Sequence, residues 1–509
     1  MYIIVFNKIT RPTYNLYLAK LSSLCSFFLH NLFFQRISQI SESSFRRSFL
    51  SRQIFLILLL SILSLTSYSS QALISKTSNV IHGSVPYLTF DGGRTRVSNT
   101  EDLLGISLSD ETKYTPSINN SSLTNPIELP TAIKSFADIG VMVPADVDSI
   151  SLNSLIGEPY NYWGDDDGDD GVTATGNLYL SITDRDNNPV IRNEMITICK
   201  APYKMILKTD GGTLATLYGV PKKSDFIASD VTYFISPKGN PVVCFAKPNL
   251  EYGSLASYGH YFGGPATMWN EQKGFITQSN DPSSYNLNFP TTGANNLYFD
   301  LDIGGIYQAL YWEPVTHNDI TATMTSISDT SVRVTLTGPT KNTAKTSLIS
   351  LPQIFELVGK DSSGNSVIKY GFQLNQWFVT LNQERINYRR TESLCGDLGY
   401  RIPQIKDLTN ANCDGKIPDQ SFCQGAIGAI PASTNGWYQR IIGAGFFSEW
   451  GYMGQYKGAR FVQHDDRLNF YWTSDIPNGN RKPYAVNSHT GYIFRYAEMG
   501  ETYGICVTP

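Results

Sequence analysis

Between residues 146 and 370 the chain alternates. In "NLYLSITDRDNNPV" (177–190) Leu178, Leu180 and Ile182 stand two apart with polar residues between them; in "SVRVTLTG" (331–338) Val332, Val334 and Leu336 do the same. A period of two places one set of side chains on a single face of a strand. Gly, Pro, Asn and Asp interrupt these runs, and "DRDNNP" (184–189) is such a turn. No long stretch of helical period appears in this region.

Regular strand runs with turn residues between them predict immunoglobulin-like β-sandwich modules over residues 146–372. Composition agrees: charged residues are 17%, aromatics 12%, with Tyr 30 and Phe 26, as in exported β-proteins. Residues 73–145 are rich in Ser, Thr and Asn, with "SINNSSLTNP" (117–126) as the clearest loop. They are expected to form a loosely structured lead-in with a few strands.

The N-terminus reads as a targeting segment over residues 1–72. "IFLILLLSILSL" (54–65) follows Arg46, Arg47 and Arg52 and precedes the small-x-small exit Ser70-Gln71-Ala72. A basic flank, a short apolar stretch and a small-residue exit make a secretory signal. The stretch is shorter than the roughly 20 residues of a membrane span; an uncleaved anchor is the alternative. After Met1 the next methionine is Met142, so either the signal is long or translation begins at a non-Met codon near Leu50. Without residues 1–72 the net charge falls from −4 to −10. That charge argues against nucleic acid and anionic membrane surfaces as partners.

Seven cysteines are present, and Cys25 leaves with the signal. Cys199, Cys244, Cys395, Cys413, Cys423 and Cys506 remain. An even number in an exported chain implies disulfides, although six cysteines allow 15 pairings.

From residue 373 the character changes. "NYRRTESLCGDLG" (387–399) predicts a short amphipathic helix with Leu394, Cys395 and Leu398 on one face and Gly399 as its stop. "RIPQIKDLTNAN" (401–412) predicts a second short helix. Glycine- and aromatic-rich loops follow, and "LNFYWTSD", "YAVNSHTGYIFRY" and "TYGICVT" predict three closing strands.

A leading strand ("QWFVTL"), a cysteine-bearing helix, a helix after "RIP", a long loop region, a Trp-containing strand and a final strand with Cys506 together resemble the C-type-lectin-like fold. This predicts an α+β lectin-like domain over 373–509, in a chain that is otherwise mainly β. That fold bridges its first helix to its last strand, which implies Cys395–Cys506. Cys413–Cys423 would then close a hairpin in the loop region; Cys199–Cys244 is the third expected pair. "SLIGEPYNYWGDDD", "TATG", "APYKMILKTDGGTLATLYGVP", "VVCFAKPNL" and "NFPTTGA", in that order before the lectin-like end, look like the adhesion region of Gram-negative invasin/intimin-type adhesins. The resemblance covers roughly residues 150–509. Such adhesins carry a membrane β-barrel, and the stretch between the signal and residue 150 is too short for one. The chain is therefore expected to be secreted, held at the outer membrane by an anchoring partner, or a truncated relative of such adhesins.

Calcium-dependent lectins hold their ion with Glu-Pro-Asn or Gln-Pro-Asp in the long loop and with Trp-Asn-Asp. Here the triplet is Trp472-Thr473-Ser474 with Asp475 displaced by one, and the loop offers "IPDQ" and "IPAS". Trp472 is therefore expected in the core, and calcium-dependent sugar binding is not expected. The other calcium candidate is "GDDDGDDG" (164–171). Asp165, Asp167 and Asp169 are spaced as in an EF-hand, but Asp170 replaces the turn glycine and Gly176 the final Glu. It reads as an acidic exposed loop or as a weak, irregular Ca²⁺ site; no other cofactor is expected.

Enzyme motifs such as HExxH, a P-loop or GxSxG are absent from the sequence, and no catalytic residue is assigned. The five histidines left (His82, His260, His317, His464, His489) are widely spaced, and His464 beside Asp465 and Asp466 reads as a polar turn. "GWYQRIIGAGFFSEWGYMGQYKGARF" (436–461) concentrates aromatics among glycines. Trp437 and Phe461 are expected in the core. Trp450, Tyr452 and Tyr456, with Arg460 and Arg467, are expected to form a receptor-facing patch, since Tyr, Trp and Arg dominate binding hot spots. The resemblance thus implies an exported adhesin, not an enzyme, whose C-terminal domain binds a host or neighbour-cell surface protein. The alternative is a calcium-independent carbohydrate-binding protein that stacks sugars on aromatics.

Overall fold

The computed structural model describes residues 83–254, 261–347, 349–381, 383–413, 423–463, 469–477, 482–496 and 500–509. The targeting segment, His82, His260, His464, Asp465, Asp466, Arg467 and "IPDQ" lie outside the described residues. The fold is mainly β, and no helix among the described residues is long and apolar enough to cross a membrane.

The first module is built on Thr173–Thr183, Tyr203–Ala215 and Ser229–Pro237, which pair antiparallel. Alternation does what the sequence predicts: Leu178, Leu180 and Ile182 point inward and meet Met205, Leu207, Tyr233 and Ile235. The turn after them is closed by Asp184, whose carboxylate accepts from the amides of Asp186 and Asn188, both at 2.9 Å. The lead-in is not loose. Leu88, Val97, Leu104, Ile127, Phe136 and Met142 are buried in this same core. Ile127–Leu129 adds a parallel edge strand beside Ser229–Pro237, and the Tyr233 hydroxyl donates to the Leu104 carbonyl at 2.9 Å. Strands of two or three residues leave no readable period, so the segment looks unstructured in sequence.

The second module is a sandwich. Its larger sheet has seven antiparallel strands, with Val242–Lys247, Leu297–Gly304 and Ser331–Thr337 at its centre. The facing sheet carries Gln353–Lys360 and Ser366–Leu374. Inward residues interlock as rings: Phe299 meets Phe372 edge-on at 5.9 Å, and Phe372 stacks on Phe355 at 5.2 Å. Cys199 of the first module is bonded to Cys244 of the second. Arg185 also crosses over, donating to the Ile303 carbonyl at 2.9 Å and pairing with Asp302.

Beyond residue 373, Gln376–Thr380 pairs antiparallel with Ile505–Val507 and parallel with Thr292–Ala294, a strand of the sandwich region. The helix Tyr388–Asp397 is capped by the Asn387 side chain, which accepts from the Arg390 amide at 3.0 Å. Its buried face holds Tyr388, Thr391 and Cys395, and Cys395 is bonded to Cys506. The second helix is one turn, Ile405–Leu408, and Cys413 is bonded to Cys423 just beyond it. The helix Phe446–Trp450 occupies a stretch read from sequence as loop. Phe470–Trp472, Tyr484–Asn487 and Ile493–Arg495 form one sheet, the last two being the halves of a predicted single strand folded back at residues 488–492.

Residue 372 is a boundary in sequence but not in packing. One core holds Phe299, Phe355 and Phe372 of the sandwich together with Trp450, Tyr456 and Phe461. Opening Cys395–Cys506, a separation of 111 residues, with paired alanines is expected to cost roughly 4–5 kcal/mol in the chain-entropy account. Hydrogen exchange in urea should then show the sandwich and residues 373–509 losing protection together. Loss in two separate steps would contradict a shared core.

Candidate functional site

The aromatic segment 436–461 does not face solvent. Trp450 is 0% exposed, Tyr456 0% and Tyr452 8%. The Trp450 indole donates to the Thr292 carbonyl at 3.0 Å and meets Phe289 edge-on at 4.9 Å. The Tyr456 hydroxyl donates to the Trp450 carbonyl at 3.0 Å and accepts from the Asn249 amide at 3.1 Å. Tyr452 packs against His489 at 4.0 Å. The expected receptor-facing patch of Trp450, Tyr452 and Tyr456 is therefore corrected: these residues join the C-terminal region to the sandwich. Arg460 is exposed. Phe461 is buried as expected and Trp437 is half-buried, tilted against Tyr492.

The glycines explain the misreading. Read as a means of display, they serve close packing. Gly451 has φ +74°, and a Cβ there would lie 1.8 Å from Nη1 of Arg440. Arg440 is itself buried, its guanidinium 4.5 Å above the Trp269 ring and Nη2 donating to the Asn249 carbonyl at 2.9 Å. Nearby, the buried Glu449 carboxylate accepts from the Thr291 amide (3.1 Å) and hydroxyl (2.8 Å), the Thr292 amide (3.1 Å) and hydroxyl (2.6 Å), and the Gly443 amide (2.8 Å). Burial raises the carboxyl above its ordinary range, and these hydrogen bonds offset only part of that rise. Sequence reasoning missed both charges, since nothing in "YQRIIG" or "FSEWG" marks them as buried.

Trp472 lies in the core as expected, 0% exposed, with its indole donating to the Ile386 carbonyl at 2.8 Å. Asp475 accepts from the Ile405 amide at 2.7 Å and so caps the second helix. Of the remaining described histidines, His317 lies edge-on to Phe355 and His489 contacts Asn469.

The acidic loop is drawn together. Asp165, Asp167 and Asp169 bring one carboxylate oxygen each within 4.8 Å of one another. Asp165 accepts from the amides of Asp167 (2.9 Å) and Asp169 (3.3 Å), and Asp167 accepts from the Ser84 amide at 2.6 Å. Asp166 points away, to Arg96 and the Tyr87 hydroxyl. Desolvation, then the charges of Asp165, Asp167 and Asp170, raise the Asp169 carboxyl above its usual range. Converging carboxylate oxygens suit a hard cation.

A surface feature went unread in sequence. Ile427 and Ile430 are 76% and 85% exposed, beside a cleft of about 440 Å³ whose walls include Lys406, Asp407, Asn375 and Gln376.

Two truncations test the packing. Trp450→Ala is expected to cost about 3–5 kcal/mol, as for a buried aromatic. Glu449→Ala strands five donors and is expected to cost at least about 3 kcal/mol. Urea unfolding of the chain from residue 73 measures both. A loss below about 1 kcal/mol in either would place that side chain outside the core.

No protein-family model and no curated protein matches the chain. Among solved structures it is similar to invasin, described as a bacterial integrin-binding protein, at 14% identity over 69% of this chain and 53% of that one, with a TM-score of 0.30. The chain thus spans about half the length of that invasin structure. It is similar to a C-terminal 282-residue fragment of intimin, solved with the intimin-binding domain of the translocated intimin receptor, at 11% identity over 67% of this chain and 99% of that one, with a TM-score of 0.29. It is also similar to an intimin mutant from EHEC O157:H7, at 13% identity over 43% and 88%, with a TM-score of 0.25.

Proposed function

We propose that this protein is an exported bacterial adhesin of the invasin/intimin type, and that its C-terminal, lectin-like region binds a protein on the surface of a host or neighbouring cell. The observation that carries the reading is the mounting of that region. Cys395–Cys506 ties its first helix to its last strand, Cys413–Cys423 closes a loop, and its base shares one core with a β-sandwich. Variable loops on a rigid support are where binding function concentrates. The order of sequence motifs, the secretory signal and the even cysteine count support the same reading. Secretion, or attachment to the outer membrane through a partner, is part of the proposal.

The test is binding of the chain from residue 73 to intact cells with and without surface proteolysis. Binding that proteolysis abolishes is expected. Binding that survives proteolysis, with hits on a glycan array unaffected by EDTA, would favour the carbohydrate alternative.

Calcium, in this reading, stiffens the first module at Asp165, Asp167 and Asp169 and takes no part in recognition. Calorimetric calcium titration should lose its signal when the three are changed to Asn and keep it in Asp475→Ala. The reverse pattern would overturn both assignments.

A further inference from the structure

With the aromatic segment buried, the C-terminal region shows three large apolar side chains to solvent among the described residues: Ile427, Ile430 and Ile476. Two of them sit on a loop whose backbone is held in place. The loop starts at the disulfide-bonded Cys423, whose carbonyl accepts from the Ala426 amide at 2.9 Å. The Ala429 amide donates to the Thr409 carbonyl and the Ser433 amide to the Asn410 carbonyl, both at 2.8 Å. The Asn410 side chain donates back to the Pro431 carbonyl at 3.2 Å. Gly428 lies so close to the floor that a Cβ there would stand 2.6 Å from the Ala411 carbonyl oxygen. Thr409 and Asn410, which anchor the loop, are fully buried. Ile427 and Ile430 thus face outward on a backbone fixed from below. Exposure on a pinned loop differs from exposure on a floppy one, because little ordering entropy is left to lose on binding.

The charges around the loop are uneven. Asp407 is engaged by Arg401 at 2.6 Å, the Gln376 side chain at 3.0 Å and the Gln404 amide at 2.7 Å. Asp475, which precedes Ile476, is engaged by the Ile405 amide. Lys406 shares the cleft wall with Ile427 and Ile430, is exposed, and forms no ion pair among the described residues. The surface therefore offers an apolar ridge beside an exposed lysine whose charge reaches the half-buried Asp475 but which holds no ion pair among the described residues.

We propose that Ile427, Ile430 and Lys406 form the receptor-binding surface, and that the partner is a protein segment presenting an aliphatic side chain next to an aspartate or glutamate. The aliphatic group seats against the isoleucines at the mouth of the cleft, and the carboxylate pairs with Lys406. This rests on the adhesin reading and specifies its site and partner chemistry.

The experiment uses the chain from residue 73, wild type and two variants, Ile427→Ser/Ile430→Ser and Lys406→Glu. Each is measured for binding to intact cells and for selection from a random peptide library displayed on phage. Both variants alter exposed side chains and should unfold in urea like the wild type. Each should bind cells at least about tenfold more weakly, the scale of a lost hot spot. Wild-type binding should weaken as ionic strength rises. Peptides enriched on the wild type and absent on the double variant should place an aliphatic residue beside Asp or Glu. If the wild type binds no cells, the adhesin reading fails. If it binds and both normally folded variants bind equally well, the adhesin reading stands and this surface is wrong. Self-association of the wild type that the double variant loses would make the face a contact between copies of this chain and overturn the receptor assignment.

Discussion

The buried carboxylate of Glu449 holds the upper half of this molecule together. An ionised carboxylate costs several kcal/mol to take out of water unless hydrogen bonds replace its hydration. Here Thr291 and Thr292 give four donors from the sandwich side, and Gly443 gives one from the C-terminal side. The carboxyl, raised by desolvation, has its oxygens satisfied by donors from both parts where they meet. Trp450, next in sequence, donates to the Thr292 carbonyl, so the same short segment supplies acceptor, donor and apolar bulk to one junction. Arg440 adds a buried charge nearby, held against Trp269 and Asn249. The junction is thus specified by polar groups as well as by the surrounding rings.

This has a mechanical consequence. A recognition surface on a hinged end would be free to turn away from a pulling contact. Here the strand Gln376–Thr380 is clasped between Ile505–Val507 and Thr292–Ala294, so a separate three-stranded sheet takes one strand from the chain just before the sandwich strand Leu297–Gly304. The first module is tied differently, by one disulfide and by Arg185 on Asp302. The first module is further tied by Lys273 on Asp186 and by the Tyr307 hydroxyl on Ser236.

Much of this was legible in sequence where one signal dominated locally. Alternation placed Leu178, Leu180, Val332 and Val334 correctly, and Cys395, Leu398 and Gly399 marked the helix and its end. Cys395–Cys506 forms as the lectin-like resemblance implies, and Cys413–Cys423 and Cys199–Cys244 form as expected. What was not legible depended on contacts far apart in the chain. Leu88 and Phe136 look like scattered residues until the strands around Tyr203 and Tyr233 cover them. Trp450 and Tyr456 look like a binding patch because glycines free a backbone equally for display and for close packing. Only the approach of Arg440 to Gly451 decides between the two. Ile427 and Ile430 sit in a short loop with no readable period, pinned where the Ala429 and Ser433 amides donate to the Thr409 and Asn410 carbonyls.

The most direct test is hydroxyl-radical footprinting of the chain from residue 73, free and bound to intact cells. The account predicts strong labelling of Ile427 and Ile430 in the free chain and protection of both on binding. Trp450 and Tyr456 should be shielded in both states. Protection confined to the first module, or strong labelling of Trp450 in the free chain, would contradict it.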